Sequence, residues 1–303
     1  MMISIEKNLH EIFAWILLTL AAFQARIINI LERGFNWLLR SKSMADPAEY
    51  GLDYSQVSFP SRDGLTLKGW LFEVHDKSHP FIIMLHGVRG NRAQPADRVF
   101  GIASELIDYG YNVLVFDFRA HGESEGRLIS AGYYERNDLL GAIDYLKQSG
   151  ATGKIGVLGF SMGAAISLLT AAECKEIAAV VADSSFTDII SILESKLSRF
   201  KFLPRHFIPF LFSAVKLFYR IDFTRVKPIK AVGSITVPVF VIHGGKDDMI
   251  PVDHAYRLIK ACRNLYHQIW IVPEAKHTGA YLIRTEEYIL RLLSFFKTAF
   301  ALN

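Results

Sequence analysis

Gly159-Phe160-Ser161-Met162-Gly163 stands between a short apolar run, Ile155 to Leu158, and a small-residue stretch, Ala164 to Ala172, that reads as a helix. Gly-x-Ser-x-Gly at a strand-to-helix junction predicts a sharp turn that lifts the serine hydroxyl clear of a sheet. Glycine is needed on both sides because such a turn brings the strand and helix backbones together and leaves no space for a side chain. The centre of the chain is thereby constrained to one strand–turn–helix unit. About one unrelated chain in ten of this length would carry the pentapeptide by chance, so its meaning rests on what surrounds it.

The surroundings alternate between strand-like and helix-like segments. Apolar runs predict strands at Phe81–Leu85, Asn112–Phe118, Lys154–Gly159, Ile177–Ala182, Val239–His243 and Gln268–Val272. Helical patterns lie between them, near Pro95–Tyr109, Tyr134–Gln148, Met162–Glu173, Val252–Cys262 and Gly279–Phe300. Continuous apolar strands alternating with helices imply an α/β protein, its mostly parallel sheet covered on both faces. Upstream, Asp63-Gly64 separates two alternating stretches within Val57–Phe72 and predicts a hairpin. From Ser184 to Val237 the rhythm breaks into aromatic, helix-like sequence, with six Lys and Arg but no acidic residue between Lys196 and Arg220. An insertion there reads as a helical lid over the carboxyl edge of the sheet, spanning about residues 186–235. Its basic, aromatic character suits a membrane surface or acyl chains; the plainer reading is a solvated charged face over an apolar underside.

The N-terminus departs from this pattern. Ile12 to Phe23 is almost unbroken apolar sequence, but as a helix it covers only about 18 Å, short of a hydrocarbon core of about 30 Å. Spanning length is reached only by including Gln24, Arg26 and Asn29. Residues 1–45 therefore form a separate hydrophobic and amphipathic helical segment, ahead of a main domain at residues 50–303. A cleaved signal peptide fits poorly, since Glu6 and Glu11 flank the leader and no clear cleavage site follows. Membrane association through residues 12–40 is the expectation, with a helix packed on the protein's own body or a second copy as the alternative. The arginines and lysine that trail the run would set the main domain on the cytoplasmic side; a soluble cytoplasmic protein is the other possibility.

Composition narrows the function classes. The chain has 303 residues, half of them apolar, and a formal net charge of +4. No Lys/Arg-rich block with interleaved aromatics appears, which argues against a nucleic-acid partner. The two cysteines, Cys174 and Cys262, provide neither a disulfide framework nor metal-ligand spacing; each is expected in a helix as a small buried hydrophobe.

A serine hydroxyl is a weak nucleophile near neutral pH. It needs a histidine to take its proton and a carboxylate to hold that histidine's tautomer. With a Gly-x-Ser-x-Gly elbow the chain order is serine, acid, histidine, and this sequence has candidates in that order. The acid is sought after Val239–His243, where Asp247 and Asp248 are adjacent, with Asp183 after the preceding strand as a third option. Spacing alone leaves the choice open. His277, after the last predicted strand, is the histidine that follows both serine and acid at such a position. Oxyanion donors are expected from the backbone N–H of Met162 and, in the loop after Phe81–Leu85, of Val88. His86 is expected to make a structural hydrogen bond beneath that loop.

Taken together, these segments resemble the α/β-hydrolase superfamily. The resemblance is carried by His86-Gly87 with Gly90-Asn91, by Asp117-Phe-Arg119-Ala-His121-Gly122 continuing to Gly126, by the pentapeptide around Ser161, by His243-Gly244-x-x-Asp247-x-x-Ile250-Pro251, and by His277. It covers about residues 50–303 and implies a mostly parallel eight-stranded sheet with helices on both faces and a lid after strand 6. It also implies Asp247 as the acid, with Asp248 merely its neighbour. Ala120 stands where many relatives have glycine. The subgroup most similar holds small serine hydrolases with an N-terminal hydrophobic helix: esterases, lysophospholipases and depalmitoylases. The implied function is hydrolysis of a carboxylic ester, or an acyl thioester, on a small-molecule or lipid-like acyl substrate, without metal or cofactor. The alternatives are a serine peptidase, an acyltransferase, or a non-catalytic membrane-associated binding protein.

Overall fold

The computed structural model describes residues 45–73, 76–197, 208–263 and 265–302, within the unit Ser41–Asn303. The expected N-terminal helical segment lies outside these residues except for Ala45. Among the described residues no helix is long and apolar enough to cross a membrane.

Eight strands form one sheet: β1 Ser55–Pro60, β2 Thr66–Phe72, β3 Phe81–Leu85, β4 Asn112–Phe116, β5 Ile155–Phe160, β6 Ile177–Asp183, β7 Val239–Gly244 and β8 Gln268–Val272. Their order is β1-β2-β4-β3-β5-β6-β7-β8. The first two strands form the antiparallel hairpin expected around Asp63-Gly64, with Pro60 opposite Thr66 and Gly64 at φ 93°. Strand β2 runs antiparallel to β4, and every pairing from β4 through β8 is parallel. This is the α/β-hydrolase architecture.

Alternation along the strands sorts the core into two layers. Phe81, Ile83 and Leu85 of β3 join one layer, while Ile82 and Met84 join the other. The second layer is closed by helix α1 (Ala96–Asp108) through Val99, Phe100, Ile102, Ala103 and Leu106. On the first lie α2 (Glu135–Gln148), through Leu139, Ala142, Ile143 and Leu146, and α3 (Met162–Ala171), through Ala164, Ile166 and Leu168. Between β6 and β7 the described sequence is helical, as α4 (Ile189–Leu197), α5 (Ile208–Tyr219) and the short α6 (Pro228–Ala231). After β7, helix α7 (Asp253–Ala261) returns to the first layer through Ala255 and Leu258.

Three local expectations need correction. Strand β4 stops at Phe116, two residues short of the expected Phe118, because Asp117 turns to gather donors: its carboxylate accepts from the N–H of Arg92 at 2.7 Å and of Glu123 at 2.9 Å. The single helix expected over Gly279–Phe300 is two, α8 (Ala280–Ile283) and α9 (Thr285–Leu302). Arg284 breaks it with φ −135° and ψ 54°, and Glu286 and Glu287 then occupy the first turn of α9, where the helix dipole favours them. Helix α9 covers the second layer through Leu292, Phe295 and Phe296. Finally, Cys174 and Cys262 lie just beyond the ends of α3 and α7, not within helices; Cys262 is buried and Cys174 partly so.

The loops at the carboxyl edge of the sheet are tied together by His86. Its Nε2 accepts the Phe118 N–H at 3.0 Å, so Nδ1 carries the proton and donates to the Gly87 carbonyl at 2.7 Å. This is the structural bond anticipated for His86, and acceptance of the Phe118 N–H at Nε2 requires a neutral ring. Burial, and then the neighbouring His121, push His86 down to about 3. In the unfolded chain its ring titrates near ~6.5. The folded state therefore withholds a proton that the unfolded state accepts, and stability is fully present above the unfolded value and lost as pH falls toward about 3. Urea unfolding is expected to show lower stability at pH 5.5 than at pH 7.5, with a shallower loss in His86→Gln. Equal losses in both proteins would contradict this account.

Candidate active site

Ser161 is the hinge of the strand–turn–helix unit, with φ 54° and ψ −112° between β5 and α3. A non-glycine residue in this region is strained by about 1–3 kcal/mol and is held there only by its surroundings. The flanking glycines show how. A Cβ on Gly159 would lie 2.4 Å from the Gly163 carbonyl oxygen, and one on Gly163 would lie 2.5 Å from the Leu85 oxygen. The Ser161 N–H also donates to the Asp183 carbonyl at 2.8 Å, which ties the turn to the end of β6.

Asp247 lies in the turn after β7 and is buried, while Asp248 beside it is exposed. One Asp247 oxygen, Oδ1, accepts from the N–H groups of Met249 at 2.9 Å and Ile250 at 2.8 Å. The other, Oδ2, lies 2.7 Å from His277 Nδ1 and 3.3 Å from His243 Nε2. Burial pushes this carboxyl up, but the hydrogen bonds from His243, His277 and Ile250 outweigh it and hold Asp247 well below the ordinary carboxylate range. The acid is thus ionised at any working pH.

His277 follows β8 and reaches back across the sheet edge. Its Nε2 lies 2.9 Å from Ser161 Oγ. With an ionised carboxylate at Nδ1, that nitrogen bears the proton, so Nε2 faces the serine hydroxyl as an acceptor. The next residue, Thr278, sits at φ 51° and is clamped from both ends: its N–H donates to Ser184 Oγ at 3.0 Å, and its carbonyl accepts from Arg98 at 2.8 Å. Of the three acid candidates, Asp247 alone contacts His277 among the described residues. Asp183 is buried elsewhere, accepting from Ser184 Oγ at 2.8 Å and the Tyr288 hydroxyl at 3.1 Å.

Met162 and Val88, the residues expected to supply the backbone donors, lie in the two turns beside the serine. Met162 follows it as the first residue of α3. Val88 follows Gly87, on which a Cβ would come within 3.2 Å of Ser161 Cβ. A cavity of about 660 Å³ opens beside Ser161 and His277, with Val88, Pro95, Phe160 and Met249 among its walls. None of the described residues from Asp117 to Gly126 lines it; that loop instead holds the site from behind, through the buried Arg92–Asp117 ion pair and the Arg119–Asp138 pair at 2.6 Å. Sequence reasoning passed over His243, Ser184 and Arg98. His243 was signalled by its place in His243-Gly244-x-x-Asp247, whereas Ser184 and Arg98 carry no motif and are joined to His277 only by folding.

Comparison with known proteins agrees with this architecture. Residues 100–303 match the prolyl oligopeptidase family. The protein YqkD of Bacillus subtilis is 32% identical over 233 residues, which is 76% of this chain and 74% of that one. The alpha/beta hydrolase domain-containing protein WAV2 of Arabidopsis thaliana is 27% identical over 80% of this chain and 78% of its own. The solved structure of the Pyrococcus furiosus esterase Pf2001 superposes with a TM-score of 0.71 at 29% identity, covering 86% of this chain and 98% of the esterase. The chain belongs to the prolyl oligopeptidase family and is a hydrolase of the α/β-hydrolase superfamily.

Proposed function

We propose that this hydrolase cleaves carboxylic esters, acyl thioesters included, through a Ser161–His277–Asp247 triad and an acyl-enzyme. The observation that carries the reading is the His277 ring standing 2.7 Å from Asp247 and 2.9 Å from Ser161 Oγ. Ser161 Oγ attacks the carbonyl carbon while His277 Nε2 takes its proton. The carbonyl π pair moves onto oxygen, where the N–H groups of Val88 and Met162 hold the charge. Collapse breaks the bond to the alcohol or thiol, which leaves with the proton from His277. Water then gives a proton to His277 and attacks the acyl carbon; the acid departs and Ser161 recovers its proton. Asp247 stays ionised throughout and stabilises the imidazolium in its orientation. No step in this scheme calls for a metal or cofactor.

The substrate side rests on the cavity and on kinship with an esterase. A space of about 660 Å³ walled by Val88, Pro95, Phe160 and Met249 suits a medium or long acyl chain, and Pf2001 is described as an esterase. The helical segments between β6 and β7 are read as the lid over such a chain. A second reading, peptide cleavage, is favoured by the name of the matching family.

A fluorophosphonate probe is expected to label the folded full chain, and Ser161→Ala to abolish the labelling; labelling that persists in Ser161→Ala, or is absent from the folded protein, would sink the hydrolytic reading. His277→Gln and Asp247→Asn should each lower kcat on p-nitrophenyl octanoate by about four orders of magnitude or more, as in other triads. Across p-nitrophenyl esters of increasing length, alongside an acyl thioester, a lysophospholipid and a peptide p-nitroanilide, kcat/KM should peak at medium or long acyl chains. Strict preference for acetate, or faster turnover of the peptide, would refute the assignment.

A further inference from the structure

Arg98 is a cation in an unusual position. It lies on α1 with only 5% of its surface exposed, yet it lines the cavity beside Ser161 and His277. Its guanidinium stacks on the ring of Phe160, 4.1 Å from the centroid, and donates to the Thr278 carbonyl at 2.8 Å. Phe160 precedes the nucleophile and Thr278 follows the histidine, so the charge contacts the chain neighbours of both reacting groups.

Among the described residues no carboxylate stands at ion-pair distance from this charge; Asp183 acts on it only from farther off. Arg98 forms no ion pair with any described residue, and its Nε is buried with no hydrogen-bond partner. The acid that acts on it through space, Asp183, spends its oxygens on Ser184 and Tyr288. Burial also pushes Asp183 upward, toward its neutral form. None of the described residues lining the cavity is Asp or Glu, while Arg89 stands exposed on the same wall. The two other buried arginines show the contrast, since Arg92 pairs with Asp117 and Arg119 with Asp138. Leaving a buried guanidinium without an ion-pair partner is strongly unfavourable, and the cavity that Arg98 lines is the open space from which an anion can approach it.

We infer that Arg98 forms an anion subsite, and that the ester cleaved here carries a carboxylate or phosphate a few bonds from the scissile carbonyl. This rests on the ester-hydrolase reading above and specifies the substrate for the same site. The planar fork of a guanidinium matches either oxyanion in a bidentate fashion. A carboxylate would come from the acyl side, as in a dicarboxylic hemiester, and a phosphate from the alcohol side, as in an acylated glycerol phosphate.

The test is a ratio of kcat/KM values on the full chain. One arm compares the p-nitrophenyl hemiester of glutarate with p-nitrophenyl pentanoate, and the other compares an acyl glycerol phosphate with the matching acyl glycerol. At least one arm is expected to favour the anion by about 10–100-fold, as charged hydrogen bonds are worth at such sites, and that arm identifies the side bearing the charge. In Arg98→Met the ratio should collapse toward one. Absolute rates fall there too, because the clamp on Thr278 is lost, but that loss is common to both esters and leaves the ratio unaffected. Should Arg98→Met fail to fold, Arg98→Lys keeps the charge without the fork and should lower the ratio several-fold. Ratios near one in both arms of the unaltered protein, or a ratio unmoved by the substitution, would overturn the subsite. Failure of the hydrolase reading itself is recognised separately, by loss of Ser161-dependent fluorophosphonate labelling in the same preparation.

Discussion

The site depends on one close approach, that of α3 to the ends of β3 and β5. Gly163 sits so near the Leu85 and His86 carbonyl oxygens, at 2.5 and 2.7 Å from where a Cβ would be, that no other residue fits without moving backbone. That contact forces the chain through a left-handed turn at Ser161. It also sets the serine against Gly87, so the nucleophile and the loop bearing Val88 are brought together by the same packing. Everything else at the sheet edge is arranged around a serine whose position is already fixed.

The surrounding loops are held by satisfying buried polar groups, not by apolar packing alone. Two carboxylates illustrate the division of labour. Asp117 collects backbone N–H donors and Arg92, and so turns the chain after β4. Asp247 collects two backbone donors on one oxygen and leaves the other for imidazoles. The first builds a loop; the second presents a charge. Arg98 differs from both, a buried charge with no ion-pair partner among the described residues.

Much of this was legible in the sequence, for physical reasons. Strands buried on both faces read as uninterrupted apolar runs, so β3 falls where its sequence places it. The order of Ser161, Asp247 and His277 was visible because each follows a strand, and a parallel sheet gathers such positions at one edge. What could not be read locally was decided by contacts distant in sequence. Strand β4 ends early because Asp117 is claimed by residues on either side. Spacing left Asp247, Asp248 and Asp183 equivalent; burial and distance separate them, one reaching His277, one facing solvent, and one bonded to Tyr288. Arg98 and Ser184 belong to no pattern, since their bearing on His277 comes only from the first turn of α1 and the loop after β6 meeting at Thr278.

The central claim is that the acyl group passes through a covalent bond to Ser161. Quenching the full chain in acid during turnover of p-nitrophenyl octanoate, then measuring peptide masses, tests it most directly. An octanoyl adduct on the peptide containing Ser161, lost on further incubation and absent from Ser161→Ala, is the predicted result. An adduct on another residue, or undiminished turnover in Ser161→Ala, would contradict it.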